Sequence, residues 1–425
     1  MIPAPEHDRA LGMDFYITNG RGCGGVLRES TDDFRVIEVY NDLRYEGGRY
    51  LVLEVEKKNW DTHHLIREMS RQLRISQKRF SWAGTKDKRA IARQRISIMN
   101  LDEVELRNIN LPDLKMKVLG RTNRAVGLGD LLGNRFWIRI REIDFNGKDA
   151  GECISRITKE ILLFEGVPNY FGVQRFGDTR PITHKVGESL VRGKIEEAVF
   201  IYLAQPFPGE LEGTREARRA LWDSRDIYEA LKNYPEYLYY ELALLNYLVK
   251  HPGDYAGSFK VLNSNLRRLF IHAYQSFLFN CILSHRIAAG LPMNQAIEGD
   301  VVCFSRQGLP NIGKLQTVTA DNLEAVNRLA RRSRAYVTLP LIGYESRLTS
   351  GVQGEIERKI LGDEEVSLEN FKLSATMELS SPGSRRAAFL RVLPQVRLEG
   401  RTAELEFFLP PGSYATTILR EYMKI

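Results

Sequence analysis

Within residues 80–98, FSWAGTKDKRAIARQRISI, one carboxylate, Asp87, stands among Lys86, Lys88, Arg89, Arg93 and Arg95, with Lys78 and Arg79 just upstream. Cations around a carboxylate favour its charged form. A carboxylate that stays charged is a poor general acid but a competent nucleophile or base, the more so once a bound polyanion draws off the cations and excludes water. The plainer reading of such a run is a solvated charged loop beside a strand. Against it, WAGTKDK is a Gly-centred loop between a helix ending in RISQKRF and the strand ARQRISIM. Loops held on a rigid frame often present functional side chains. The strand also alternates, with Arg93 and Arg95 on one face and Ile96 and Ile98 on the other.

A second group lies at NRFWIRIR, residues 134–141. The period of two places Asn134, Phe136, Ile138 and Ile140 on one face and Arg135, Trp137, Arg139 and Arg141 on the other. Phe136 can then serve as a core residue continuing the isoleucine pair. It can equally be an aromatic platform for a nucleic-acid base, a contact worth about 1–3 kcal/mol per stacked base, with the Asn134 amide near the base's polar edge.

Positioning these groups requires a rigid frame. FRVIEVY and RYLVLEVEKK read as two strands joined by the turn-like NDLRYEGG. Asn59 or Asp61 can cap a helix whose Leu65, Ile66, Met69 and Leu73 recur at helical spacing. The strands RQRISIM, KMKVLGR and NRFWIRIR follow, which makes a β-rich unit to about residue 145. Helical patterns such as AGECISRITKEILLF and LRRLFIHAYQSFLFNCILSHRI dominate from about 148 to 290. Residues 291–385 mix turns with short strands, and the tail returns to the strands RRAAFLRVL and TAELEFFLP before a final helix that Ser413 is expected to cap. A β-rich start, a helical middle and a β-rich end suggest one sheet domain built from both termini around an inserted second domain.

The 425 residues exceed one ordinary core and imply two or three domains. No segment approaches the ~18 consecutive apolar residues of a membrane span. The opening MIPAPEHDRALGMDF lacks the basic and apolar regions of a secretory signal, so a cytoplasmic location is expected. Net charge is +7, and the basic residues bunch at 71–95, 121–124 and 135–141, which tilts toward a polyanionic partner.

Several formal motifs carry nothing. GRGCGG at 20–25 has the spacing of a dinucleotide loop, but no strand precedes it and a strand-like stretch follows where a helix should begin. His63 and His64 lack the i, i+4 spacing of a metal pair. Cys23, Cys153, Cys281 and Cys303 are too scattered for a zinc ribbon or a disulfide framework and read as indifferent thiols.

GTKDKRAIARQ together with GNRF, PNYFGVQRFG at 168–177, HAYQSFLFN at 272–280 and PPGSYATTILRE resembles the TruD family of tRNA pseudouridine synthases, in family order from about residue 25 to the end. The long helical insert is similar to that of the archaeal and eukaryotic branch. The resemblance implies an α+β fold: a pseudouridine synthase catalytic domain with a mixed, mainly antiparallel sheet, interrupted by a largely helical α/β insertion domain. Its parts would be residues 1–165 and 386–425 for the catalytic domain and 166–385 for the family-specific insertion. The implied reaction detaches uridine from its ribose at N1 and rejoins it at C5 in tRNA, at the position conventionally numbered 13, with no cofactor and no metal. The implied protein is a monomer.

By the same resemblance Asp87 matches the catalytic aspartate, Phe136 the aromatic that stacks on the flipped uracil, and Asn134 its partner. Whether the aspartate attacks ribose or base stays open. Arg28 falls where the family often has a lysine; it keeps the charge and changes its shape, so its pairing with Asp87 is open too. Lys86, Lys88, Arg93 and Arg175 are the expected RNA contacts. Two rivals share the basic surface. A non-catalytic RNA-binding protein would not need Asp87, and a phosphodiesterase would need several converging metal ligands.

Overall fold

The alternating segments of the first third and TAELEFFLP of the tail fold into one nine-stranded sheet, whereas RRAAFLRVL, expected as a strand of the same sheet, does not join it: Ser384–Ala387 pairs instead with Ala335–Leu341 in a four-stranded sheet. In the computed structural model, which describes residues 2–143, 149–374 and 376–425, the elements of the nine-stranded sheet and its helices are β1 (Phe34–Tyr40), β2 (Tyr50–Lys58), α1 (Thr62–Leu73), β3 (Phe80–Trp82), β4 (Ile91–Met99), β5 (Leu114–Thr122), β6 (Leu131–Arg141), α2 (Asp149–Phe164), β7 (Gln395–Glu399), β8 (Thr402–Leu409) and α3 (Thr416–Met423). The strand order is β7-β8-β6-β1-β4-β2-β5, with Val26–Leu27 added on β6 and β3 added on β4. The β1–β4 pair is parallel, and its neighbours in the sheet are antiparallel, giving the mixed, mainly antiparallel sheet that was expected.

Register lays out the centre of this sheet. Phe407, Phe136, Val36, Ala92 and Lys57 stand opposite one another in turn across β8, β6, β1, β4 and β2. Two residues further along, Glu38 faces Asn134, Asn134 faces Leu409, and Gln94 faces Val55. Because side chains alternate, all of these point to one face of the sheet.

That face is buried under α1 at one end. Leu51, Leu53, Val55, Ile96 and Ile98 pack against Leu65, Ile66, Met69 and Leu73 of the helix. Each such side chain contributes about 1.5–3 kcal/mol by leaving water. Asp61 caps α1, its Oδ1 accepting the His64 N–H at 2.9 Å. The helix stops at Leu73, short of the expected RISQKRF, because Arg74 turns into the left-handed region at φ 54° and the Ile75 N–H folds back to the Ser70 carbonyl. At the C-terminus the chain corrects the reading of Ser413. The capping position of α3 is Ala415, and no side chain caps that helix.

Thr18–Val167 and Leu390–Ile425 make up this sheet unit, and Met1–Ile17 with Pro168–Phe389 make up a second. The second unit is built on the 25-residue helix Ser264–Ala288 and carries a four-stranded antiparallel sheet. The first residues of the chain belong to it because Asn280 donates to the Leu11 carbonyl at 2.9 Å and Ser284 to that of Gly12 at 2.6 Å. Gly12 is required there: at φ +75° it passes so close to Cys281 that a Cβ would lie 2.8 Å from its Sγ.

Leu53→Ala should lower the stability of the sheet unit by about 2–5 kcal/mol and Asp61→Ala by about 1 kcal/mol, read as shifts in urea unfolding midpoints.

Candidate active site

The loop that carries Asp87, between β3 and β4, is held from below by polar groups inside the sheet unit. Thr62, the first residue of α1, accepts the Lys86 N–H at 2.9 Å and donates its own hydroxyl to Gln94 Oε1 at 3.0 Å. The Lys57 ammonium, fully buried at the end of β2, donates to the carbonyls of Trp60, of Lys86 at 3.2 Å and of Asp87 at 3.1 Å. The Lys86 ammonium turns inward and pairs with Glu38 of β1, and both side chains are buried. Glu38 also accepts the Arg95 N–H at 3.3 Å. Burial pushes the Glu38 carboxyl above the usual carboxylate range, with Lys86 opposing the shift, and burial pushes the Lys57 ammonium down to about 8.

With its backbone fixed, Asp87 extends its side chain outward, 54% exposed, and accepts from Arg28 Nη2 at 2.6 Å. Arg28 adopts φ 57°, a left-handed conformation that costs a non-glycine residue about 1–2 kcal/mol, and Arg89 donates to its carbonyl at 3.1 Å. The Arg28 guanidinium lies over the Phe34 ring, 4.3 Å from its centroid. Phe34 meets Phe136 edge to face at 6.0 Å, and Phe136 stacks on Phe407 at 5.5 Å. Carboxylate, cation and aromatic cluster thus form one connected line of contacts that runs from the exposed Asp87 inward to Phe34, Phe136 and Phe407, all three of them buried. Beside Phe136, Asn134 Oδ1 is buried without a hydrogen-bond partner, and the same holds for Gln94 Nε2.

The expected RNA contacts divide. Lys88 is exposed beside Asp87. Lys86 is not a surface cation: its ammonium is buried against Glu38, because a buried carboxylate at the centre of the sheet requires a partner. Arg93 sits on the opposite face of the sheet from Lys57 and Ala92, pairs with Glu56 at 3.1 Å, and lines a charged groove there with Arg35, Lys58 and Lys115. Arg175 belongs to the second unit, where its Nε donates to Ser276 at 3.0 Å and its guanidinium lies 5.6 Å from the Phe171 ring centroid.

Sequence reasoning missed Lys57, Glu38, Gln94 and Phe34. Three of them share a signal that was there to be read. Lys57 follows Leu51, Leu53 and Val55 at the inward positions of β2, Glu38 follows Phe34 and Val36 in β1, and Gln94 interrupts Ala92, Ile96 and Ile98 in β4. A polar residue in an apolar register must be hydrogen-bonded inside.

This line of contacts has the parts needed for covalent chemistry on a nucleotide: an exposed carboxylate, a fixed cation at its side and a buried aromatic cluster adjoining. The sequence profile of the family described as tRNA pseudouridine synthase D (TruD) matches residues 10–422. A probable tRNA pseudouridine synthase D of Methanococcoides burtonii is 49% identical over 433 residues, covering 100% of this chain and 99% of that protein. One of Pyrococcus furiosus is 38% identical over 414 residues, covering 96% and 98%. The crystal structure of the putative tRNA pseudouridine synthase D from Methanosarcina mazei superposes with a TM-score of 0.86 at 47% identity, covering 100% of this chain and 99% of that one.

Glu38→Leu leaves Lys86 buried without its partner and should destabilise the sheet unit by about 3–5 kcal/mol, whereas the pair Glu38→Leu with Lys86→Met should recover much of that loss. Urea unfolding of the two singles and the double closes the cycle; additive effects would show that the buried pair is not coupled.

Proposed function

The chain belongs to the TruD family of tRNA pseudouridine synthases, and from that premise we propose that it isomerises the uridine conventionally numbered 13 in tRNA to pseudouridine, with Asp87 as the catalytic carboxylate. In this reaction the N1–C1′ bond breaks and a C5–C1′ bond forms. The C5 hydrogen leaves as a proton and N1 gains one, so atoms and electrons balance within the nucleotide. The observation that carries the reading is the Arg28–Asp87 pair at 2.6 Å, lying over Phe34 next to Phe136.

A phosphate of the bound RNA competes with Asp87 for Arg28 and so releases the carboxylate for attack on ribose or base as water leaves. The flipped uracil stacks against the Phe136 cluster, and Asn134, whose buried Oδ1 has no hydrogen-bond partner, takes its polar edge. Base flipping costs a few kcal/mol, and stacking returns about 1–3 kcal/mol of it, with backbone contacts from Lys88 and Arg89 adding to that. The same reading has the protein act as a cytoplasmic monomer. Among the described residues no helix is long and apolar enough to cross a membrane.

Wild type should release tritium from tRNA labelled at uridine C5, while Asp87→Asn releases none and still binds. Equal release by both would overturn the role of Asp87, and binding by both without release would favour the RNA-binding protein. Phe136→Ala should lose about 1–3 kcal/mol of productive positioning at unchanged salt dependence. Arg93→Ala, on the far face, should leave both turnover and the salt slope of binding unaltered; a weaker slope would bring that face into the RNA footprint.

A further inference from the structure

We propose that Lys57 is a positioning residue for the reaction: its buried ammonium ties the carbonyls of Lys86 and Asp87 to that of Trp60 at the head of α1, and so sets where the Asp87 carboxylate is presented. This rests on the reading of Asp87 as the catalytic group.

Lys57 is fully buried, and among the described residues no carboxylate lies within ion-pair distance of it. Its three N–H donors meet three backbone carbonyls, two of them in the loop that carries Asp87. A cation buried against neutral acceptors is an expensive arrangement, and a leucine at this inward position would extend the core of Leu51, Leu53 and Val55. Stability alone therefore does not account for it. Perturbed ionisable groups of this kind gather where function needs them.

The sheet register gives the lysine a geometric task. Lys57 and Phe136 lie in the same row, separated by Ala92 and Val36, three strand spacings of about 4.8 Å each. Asp87 rises above the Lys57 end of the row, yet its carboxylate must reach back to Arg28 and Phe34 at the other. Holding the Lys86 and Asp87 carbonyls from below fixes the root of that reach, and a displacement of about 1 Å at a reacting group can lower a rate about 100-fold.

Asp61 from the head of α1, Lys86 and Asp87 from the loop and Glu38 from β1 all face Lys57, and burial outweighs their combined effect. The protonated form makes all three bonds, so turnover should be full below pH about 8 and fall as pH rises through it. Stability moves the other way. The folded protein gives up this proton near pH 8 and the unfolded chain only near the ordinary lysine value, so on this group the fold gains stability across that window.

The test measures single-turnover tritium release from C5-labelled tRNA by wild type, Lys57→Met and Asp87→Asn between pH 6.5 and 9.5, with tRNA affinity and thermal midpoint at each pH. Lys57→Met is expected to turn over about 10- to 100-fold more slowly at pH 7 with unchanged tRNA affinity, and to lack the wild-type decline above pH about 8. Full activity of Lys57→Met, or a decline identical to that of wild type, overturns the inference while an inactive Asp87→Asn leaves the role of Asp87 standing. An active Asp87→Asn, or an inactive wild type, overturns both. Should Lys57→Met fail to fold, the wild-type profile decides: a flat rate to pH 9.5, or a decline that tracks unfolding, sinks the proposal.

Discussion

Charge inside the central rows of a wide sheet has few ways to be satisfied, and the site grows from how Lys57, Glu38 and Lys86 solve that problem. Glu38, buried on β1, draws the Lys86 ammonium down out of solvent. Lys57 meets only carbonyls, and the carbonyls within its reach include those of Lys86 and Asp87. Once both lysines are satisfied, the loop has little backbone freedom left. The Asp87 side chain is then the acid that points outward, because its neighbour has turned inward. The exposed carboxylate follows from the buried cations beneath it.

The arginine at position 28 fits the same frame. A guanidinium is planar, so one face lies over Phe34 while an edge nitrogen donates to Asp87. An ammonium is a point donor on a flexible stem and would not couple the carboxylate to the aromatic cluster in one rigid unit. The left-handed backbone of Arg28 is tolerated where a carbonyl contact from Arg89 and two side-chain contacts hold it.

The basic run around Asp87 divides into three populations. Lys86 is structural and buried. Lys88 and Arg89 stay exposed beside the carboxylate. Arg93 and Arg95 leave on the other face of β4, one to Glu56 and the other over the Tyr40 ring at 4.2 Å. A run of like charge in sequence is divided by strand alternation into cations that face different surroundings, so its summed charge overstates what any one ligand meets.

The sequence by itself determined what is periodic or local. Alternation located β1, β2, β4, β6 and β8, Asp61 marked the start of α1, and the lone acid in a Gly-centred loop marked Asp87. These follow from spacing within a few residues. Tertiary structure decided what depends on pairing between distant strands: that Lys57 and Phe136 share a row, that Glu38 captures Lys86, that Arg28 reaches Asp87 across 59 positions of chain, and that the first residues join the second unit through Asn280 and Ser284. The physical reason is that burial and partner choice belong to a register, and a register exists only once the strands have met.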